Sequence, residues 1–192
     1  MEITVQNTQI NDVKIIIPDQ FKDTRGFFME VFRKDIFKIH NLPNNFVQMN
    51  HSGSVKNVLR GLHFQWDPPM GKLMRVTRGK AYLVAVDIRK GSPTLGNYVG
   101  EIVSSENMKQ VWAPPGFARG FCVLSEYAEI QYLCTGVYNS NYESGIFWND
   151  KDIGIEWPVK NPLISPKDEQ SSTLKEWLDT PESENFKYHG DK

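Results

Sequence analysis

The sequence has little of several residue types and patterns, and each shortage excludes a class of protein. It has only two cysteines, Cys122 and Cys134, too few for a disulfide framework. No apolar run is long enough to span a bilayer, and the opening residues MEITVQNTQI lack the pattern of a secretory signal. Basic and acidic residues number 22 and 23, so no excess of positive charge indicates a nucleic-acid surface. We therefore expect a cytoplasmic globular protein with two buried thiols and without nucleic-acid or membrane partners.

The length of the chain fits one folded domain. It has 192 residues, of which 40% are hydrophobic and 12% aromatic, enough to bury a core. There is no internal repeat, low-complexity segment or domain-sized linker. The last fifteen residues or so are rich in Glu, Ser, Pro and Lys, which is typical of a loosely held tail. We expect a single domain over residues 1–180 and a C-terminal tail over residues 181–192.

The pattern of apolar residues favours strands. Short runs such as VKIIIP, VLRGLHF, AYLVAVDIR and EIQYLCTGVY recur, and turn signals such as DPP and PPG separate them. Many short strands with regular turns are typical of a β-sandwich or barrel. AYLVAVDIR is apolar at both parities, which predicts a central strand. Helix signals are few: RKDIFKIH could form two turns, and Thr173–Glu176 is a capping box. The fold is predicted to be all-β with a few short peripheral helices.

One stretch, NVLRGLHFQWDPPMGKLMRV, places Arg60, His63 and Lys72 among strand-forming apolar residues. Polar side chains that point into a core are costly unless something uses them. In a regular strand Arg60 and His63 face opposite sides, because the side-chain period is two. Gly61 lies between them, and a bulge at this glycine would bring both onto one face.

These polar residues suit an acid/base pocket better than a metal site. Metal sites want His-x-His or a cluster of histidines and carboxylates, and His63 is followed by Phe and Gln. The turn PPGFARGF offers Arg119 where a second histidine ligand would come from, so we expect no bound metal. Positive charge would come from Arg60, Lys72 and Arg119. His63 moves a proton near neutral pH, and Tyr132 is a candidate acid. Simple packing is the alternative for a single histidine or tyrosine on a strand.

A set of longer motifs extends over most of the chain: FKDTRGFFMEVF, FVQMN, VLRGLHFQ, GKLMRVTRG, AVDIRKGSPTLG, PPGFARGF and YLCTGVYNSNYESGIFWND, ending at LISPKD. In order and spacing they resemble the dTDP-4-dehydrorhamnose 3,5-epimerases. The resemblance implies a cupin-type jelly roll, a homodimer, and no metal or nucleotide cofactor. It also implies epimerisation of a dTDP-4-keto-6-deoxy sugar at C3 and C5, in dTDP-L-rhamnose or related polysaccharide sugar synthesis.

The resemblance implies a role for each site residue. His63 would be the base, Tyr132 the acid, and Asp168 the carboxylate that orients His63. Lys72 and Arg60 would lie near the C4 oxygen of the sugar and the phosphates. The remaining substrate contacts would be Gln48, Asn50, Glu143 and Lys167 along the substrate, Tyr138 stacked on the base, and Arg25, Phe28 and Glu30 reaching into the pocket of the partner subunit.

The chemistry explains why such a set is needed. Removing the hydrogen next to a ketone creates an enolate, whose charge lies mostly on the former carbonyl oxygen. A cation at that oxygen, here Lys72, stabilises the developing charge. A base on one face of the ring and an acid on the other, His63 and Tyr132, invert the carbon. Arginine suits the diphosphate because it makes paired hydrogen bonds to phosphate.

Arg119 stands where the family usually has histidine. We expect this side chain to point into the barrel mouth and to pair with a phosphate or with the keto oxygen. The departure bears on the substrate and on whether one carbon or two are inverted. The alternatives are an epimerase for C3 or C5 alone, a relative that moves the ketone itself, and a non-catalytic sugar-nucleotide binding module. A decayed enzyme would be expected to lack His63, Tyr132 or Asp168, and all three are present.

Overall fold

The computed structural model describes residues 2–190, and strands dominate its regular structure. The strands are β1 (Ile3–Asn7), β2 (Lys14–Pro18), β3 (Phe21–Asp23), β4 (Gly26–Phe28), β5 (Gln48–Val55), β6 (Leu59–Gln65), β7 (Lys72–Arg78), β8 (Lys80–Asp87), β9 (Tyr98–Ser104), β10 (Gln110–Ala113), β11 (Phe117–Val123), β12 (Tyr127–Cys134) and β13 (Glu143–Gly145). The helices are α1 (Lys34–Ile39), α2 (Pro166–Glu169) and α3 (Leu174–Leu178), and a 3-10 helix covers Pro181–Phe186. The predicted all-β class is confirmed.

Two antiparallel sheets form the body of the molecule. The six-stranded sheet has the order β1-β2-β10-β7-β12-β5, and the five-stranded sheet has the order β13-β6-β11-β8-β9. Successive strands such as β5 and β6, or β7 and β8, lie in different sheets, so the chain crosses repeatedly between them as in a jelly roll. β3 and β4 form a separate two-stranded sheet.

The main core lies between the two large sheets. Met74 and Ile130 of the six-stranded sheet pack in one buried cluster with Leu83 and Phe121 of the five-stranded sheet. β8 lies between β11 and β9, and its residues 83–87 are all buried, which confirms the predicted central strand. The two thiols predicted to be buried are buried and free.

A bulge at Gly61 brings two charged residues of β6 to one cavity, as the sequence predicted. In the pairing of β6 with β11, Arg60 lies opposite Phe121 and His63 lies opposite Arg119. The interval between the two pairs is three residues on β6 and two on β11, so β6 contains one extra residue. Gly61 has a φ of +132°, and a Cβ there would lie 2.6 Å from the Cα of the neighbouring strand's glycine. A side chain is therefore excluded at this position.

Helix α3 and the end of the chain cover one side of the five-stranded sheet, whereas α1 packs against the six-stranded sheet through Phe37. The predicted capping box of Thr173 and Glu176 opens α3, and α1 lies within the predicted run RKDIFKIH. Phe186, in the segment expected to be a loose tail, is buried in a cluster with Phe64 and Trp177. The segment up to Phe186 is therefore packed instead of loosely held, because the Phe186 ring lies against the five-stranded sheet. Residues 191 and 192 lie outside the described residues, and the division into domain and tail stays a prediction. Within residues 2–190, no helix has the length and apolarity to cross a membrane.

Candidate active site

A cavity between the two large sheets collects the charged residues that the sequence placed on strands. Its lining comes from β5, β6, β7, β11 and β12: Ser52, Arg60, His63, Lys72, Met74, Arg119, Gly120, Phe121 and Tyr132. His63 belongs to the five-stranded sheet, whereas Lys72 and Tyr132 belong to the six-stranded sheet. The cavity therefore has ionisable side chains on two facing walls.

His63 is held by a carboxylate from a distant part of the chain. Its Nε2 lies 2.7 Å from Oδ1 of Asp168, and Oδ2 of Asp168 accepts a hydrogen bond from the Gly61 N–H at 3.1 Å. Asp168 lies on α2, whose N-cap Ser165 accepts a hydrogen bond from the Asp168 N–H. The strand bulge and the helix cap thus fix the carboxylate, which is 2% exposed.

The electrostatics of this pair set the tautomer of the imidazole. Burial raises the pKa of the Asp168 carboxyl, but the hydrogen bond and charge of His63, with the other hydrogen bonds, hold that pKa below its ordinary value. The carboxylate is therefore ionised at neutral pH and only accepts hydrogen bonds. Nε2 of His63 then carries a proton, and Nδ1 of the neutral ring has a free lone pair. This is the arrangement of an oriented general base.

Tyr132 lies on the facing wall and is suited to donate a proton. On β12 it is in register with Asn50 of β5 and Met74 of β7. Burial raises the pKa of the Tyr132 phenol, and the hydrogen bond with Asn50 and the charge of Arg60 oppose this rise without cancelling it. The phenol is therefore protonated at neutral pH.

Lys72 places a positive charge beside this phenol. Its Nζ lies 6.0 Å from the centroid of the Tyr132 ring. Burial lowers the pKa of Lys72 to about 8; the charge of Arg119 acts in the same direction, while Cys134 and Glu143 act against it. The ammonium is still charged at neutral pH, where it is able to stabilise negative charge on an oxygen in the cavity.

Arg119 lines the cavity, but its hydrogen bonds go to backbone carbonyls. Its Nη1 donates to Lys72 O at 2.8 Å, its Nε to Val84 O at 3.2 Å and its Nη2 to Val111 O at 3.4 Å. The sequence led us to expect a pairing with phosphate or with the keto oxygen. That pairing stays a prediction. In the structure these donors are engaged by main-chain carbonyls, because a residue that is only 4% exposed must satisfy its donors inside the protein.

The rim of the site carries the other residues expected along the substrate. Gln48 donates to Asn50 Oδ1 at 3.0 Å and accepts from the Tyr138 N–H at 2.8 Å. The Tyr138 hydroxyl donates to Glu143 Oε1 at 2.9 Å, and Glu143 also forms an ion pair with Lys167. This network connects β5, β13 and α2. The Tyr138 ring is 52% exposed, so it offers a face on which a planar group is able to stack.

Arg60 is fixed by hydrogen bonds to β5, a contact that the sequence did not predict. Its Nε donates to Ser54 Oγ at 3.1 Å, and its Nη2 to Gly53 O at 3.5 Å. Ser54 shares the parity of Gln48 and Asn50 in QMNHSGS, a signal from which it could have been found.

Ser52 is a cavity residue that the sequence reasoning missed. It lies between Asn50 and Ser54 on the same face of β5, and its hydroxyl lines the cavity. Its Oγ is buried and has no hydrogen-bond partner within residues 2–190. A buried hydroxyl without a partner is costly, so a bound molecule would supply its partner. The same alternating parity was the signal for it.

Three expected site residues do not reach this cavity. Arg25 and Phe28 lie on or beside the β3–β4 hairpin, and Glu30 follows it and pairs with Arg33 at 3.2 Å. The Phe28 ring is 65% exposed, and Arg25 forms an exposed ion pair with Asp23. They therefore present an exposed surface instead of lining the chain's own cavity.

The donor set of the cavity is that of an acid/base site. In the part of the chain that the structure describes, no group of three or more His, Cys, Asp or Glu residues is arranged to hold a metal ion. The cavity instead combines an oriented imidazole, a protonated phenol and an ammonium. The absence of a metal or cofactor stays a prediction.

Comparison with known proteins points to one family. The family model described as dTDP-4-dehydrorhamnose 3,5-epimerase matches residues 7–176. The dTDP-4-dehydrorhamnose 3,5-epimerase of Shigella flexneri is 52% identical over 168 residues, covering 86% of this chain and 93% of that protein. The protein of the same name from Neisseria gonorrhoeae is 52% identical over 163 residues, covering 84% of this chain. This chain spans half the length of the Neisseria relative, 50% of which is covered.

A solved structure matches almost the whole chain. It is a crystal structure of a dTDP-6-deoxy-D-glucose-3,5-epimerase from Legionella pneumophila in complex with dTDP-4-keto-L-rhamnose. Its sequence is 42% identical, its TM-score is 0.92, and the match covers 99% of this chain and 100% of that one.

Proposed function

This chain belongs to the dTDP-4-dehydrorhamnose 3,5-epimerase family, and from that membership we propose that it inverts C3 and C5 of a dTDP-4-keto-6-deoxy sugar. The family membership confirms the resemblance read from the motifs. The reaction is an isomerisation that serves rhamnose or related sugar biosynthesis. The observation that carries the proposal is the placement of an oriented base, His63, and a protonated acid, Tyr132, on facing walls of one cavity.

The first step removes a proton from the carbon next to the ketone. His63 takes it with Nδ1, since Nε2 is engaged by Asp168. The imidazolium that forms is stabilised by the adjacent carboxylate, which stays ionised. The electrons of the broken C–H bond move to the ketone oxygen, where Lys72 stabilises the enolate.

The second step returns a proton to the opposite face. Tyr132 donates its phenolic proton to the carbon, the enolate collapses to the ketone, and the configuration is inverted. Burial keeps the phenol protonated before this step. The phenolate then recovers its proton from solvent, and His63 releases the proton it took. A second round at the other carbon next to the ketone gives the doubly inverted sugar.

The nucleotide half of the substrate is held around this centre. Arg60 binds phosphate, and the Tyr138 ring stacks on the nucleotide base. The exposed ring of Tyr138 and the fixed Nε of Arg60 support these roles. The polar network along the rim positions the substrate through Gln48, Asn50, Glu143 and Lys167.

The active form is a homodimer in which the β3–β4 hairpin completes the site of the partner subunit. The hairpin residues Arg25 and Phe28, with Glu30 after it, bind the partner's substrate. Two observations support this: the hairpin exposes large apolar rings, and none of the three residues lines the cavity of its own chain.

Incubation with dTDP-4-keto-6-deoxyglucose in deuterated water tests the proposal. Solvent deuterium is expected at both C3 and C5, with formation of the inverted sugar. Deuterium at C3 or C5 alone would assign an enzyme that inverts one carbon. Binding of the nucleotide sugar without any deuterium incorporation would assign a non-catalytic binding module and would refute the epimerase.

A further inference from the structure

The cavity holds a buried arginine, Arg119, and a half-buried lysine, Lys72, with little negative charge to balance them. Arg119 is 4% exposed, and it makes no ion pair with a carboxylate within residues 2–190. Lys72 is its neighbour in the cavity lining, and the Arg119 Nη1 donates to the Lys72 carbonyl at 2.8 Å. A buried positive charge without a carboxylate partner is costly, and a second cation in the same cavity adds to that cost.

The hydrogen bonds of Arg119 connect the two large sheets beneath the reacting centre. The carbonyls of Lys72 and Val111 belong to β7 and β10 of the six-stranded sheet, and the carbonyl of Val84 belongs to β8 of the five-stranded sheet. All three kinds of guanidinium nitrogen have an acceptor in the main chain. The main-chain carbonyls of three strands therefore fix the position of the Arg119 side chain.

The other groups that face Lys72 leave Arg119 as its like-charged neighbour. Cys134 on β12 has its thiol pKa raised by burial, and its charge, when it ionises, opposes the lowering of the Lys72 pKa. Glu143 on β13 is engaged by Lys167 and by the Tyr138 hydroxyl. The ring of Tyr132, also on β12, lies 6.0 Å from the Lys72 Nζ. Arg60 and His63 of β6 line the same cavity, but Arg119 is the cation whose charge lowers the pKa of Lys72.

We propose that Arg119 is a positioning residue that acts on the reaction through Lys72, whose main chain it holds and whose ammonium group it repels, and that it does not touch the substrate. This inference rests on the proposed function. The two cations repel each other before the substrate reacts. The enolate introduces a negative charge that relieves this repulsion only as the transition state forms, which is when stabilisation accelerates a reaction. Arg119 also makes the Lys72 ammonium a stronger acid and hence a better hydrogen-bond donor to the enolate oxygen.

A titration of Lys72 in charge-changing variants tests this inference. Lysine labelled with 13C at Cε allows its pKa to be followed by NMR, and Lys72→Arg assigns the signal. In the wild type, burial and Arg119 lower the pKa of Lys72 to about 8. Arg119→Gln removes the charge, so the pKa is expected to rise above 8, while burial, the larger cause, still holds it below the ordinary value of 10.5. Arg119→Lys keeps the charge and is the matched control, in which the pKa is expected to stay near the wild-type value.

Kinetics on the same variants separate a positioning role from substrate contact. The alkaline limb of the kcat profile is expected near pH 8 in the wild type and at higher pH in Arg119→Gln, following Lys72. At pH 7 we expect kcat of Arg119→Gln to fall about tenfold, a typical effect of a group that acts through a neighbour, with KM nearly unchanged. A higher KM with unchanged kcat would show substrate contact and overturn the proposal. So would a Lys72 pKa that stays near 8 in Arg119→Gln.

The titration of Lys72 still gives a result if one variant does not fold or if the enzyme is inactive on the substrate. If Arg119→Gln does not fold, Arg119→His carries the same test, because an imidazole is mostly neutral around pH 8. The lysine titration needs no turnover. If the wild type incorporates no deuterium, the epimerase proposal fails while the effect of Arg119 on the pKa of Lys72 is still measured.

Discussion

The two proton-transfer residues are prepared in opposite ways by their surroundings. His63 has a carboxylate at 2.7 Å, which favours the protonated ring that forms when the imidazole accepts a proton. Tyr132 is partly buried on the facing wall, and burial raises the pKa of its phenol. The surroundings of His63 favour gain of a proton, and those of Tyr132 keep its phenol protonated. Removal of the proton by His63 on one face of the sugar ring and donation by Tyr132 on the other are therefore both favoured.

Replacing His63 tests its role as the base. His63→Asn is expected to abolish deuterium incorporation, because an amide does not accept a proton at neutral pH, while dTDP binding persists. His51→Asn is the matched control. His51 is a half-exposed histidine of β5 that pairs with Glu129 at 3.3 Å and does not line the cavity. Mass spectrometry of the sugar after incubation in deuterated water measures the effect. Incorporation at the wild-type rate in His63→Asn would exclude this residue as the base.

Replacing Tyr132 tests the return of the proton. Tyr132→Phe removes one oxygen, keeps the ring in its packed position and should lower formation of the inverted sugar by roughly 10²–10⁴-fold, the usual contribution of a general acid. Exchange of the substrate proton through His63 should continue. Tyr127→Phe, on the same strand but outside the cavity, should behave as the wild type. If Tyr132→Phe formed the inverted sugar at the wild-type rate, another group would have to be the donor.

At the scale of the element, β6 depends on its bulge. Without the extra residue at Gly61, period two would place Arg60 and His63 on opposite faces of the strand. The Gly61 N–H also donates to Asp168 at 3.1 Å, so the bulge fixes both members of the His63–Asp168 pair. The geometry of the base is therefore a property of the whole strand.

Gly61→Ala is expected to destabilise the fold and to disturb this pair. The φ of +132° alone costs a non-glycine residue about 1–3 kcal/mol, and the new Cβ would also lie 2.6 Å from the Cα of Gly120. Gly91→Ala isolates the first effect, because its φ is +78° and no atom lies within 4 Å of the added Cβ. Urea unfolding monitored by tryptophan fluorescence should show a clearly larger loss for Gly61→Ala. Equal losses in the two variants would mean that β6 tolerates a side chain in the bulge.

The elements show which parts of the molecule a sequence pattern is able to predict. Alternation and a glycine were enough to predict β6 and its bulge, because both signals are local. The contact of His63 with Asp168 spans 105 residues, and only the resemblance to a family pointed to it. The direction of Arg119 followed from the turn before it, but its acceptors did not, because they are carbonyls brought by three other strands. Composition alone misjudged Phe186, whose ring finds its packing partners only in the folded chain.

At the scale of the whole molecule, one chain leaves an apolar hairpin without cover. Phe21, Phe27 and Phe28 on β3 and β4 are all more than half exposed. Clustered aromatic rings on a surface are typical of a site for a protein partner. In the proposed homodimer these rings are buried, and Arg25 brings a positive charge to a nucleotide sugar bound by the other chain. Each of the two sites then combines residues of both chains.

Mixing two inactive variants tests whether the site is shared. Arg25→Ala should lower kcat/KM by the value of one charge-assisted hydrogen bond, roughly 1.5–3 kcal/mol, without changing the chain's own cavity. After subunit exchange with His63→Asn, half of the dimers are mixed, and each has one site with both residues intact. Activity of about a quarter of the wild-type value is therefore expected from the symmetry of the dimer.

The control for this experiment pairs His63→Asn with Tyr132→Phe. Both residues line the cavity of one chain, so each site of a mixed dimer has one defect and no activity should return. Sedimentation velocity on the mixtures verifies that dimers form. Recovery in both mixtures would mean that the defects act across the interface in some other way. Recovery in neither would place Arg25 at the site of its own chain, because a mixed dimer would then contain no intact site.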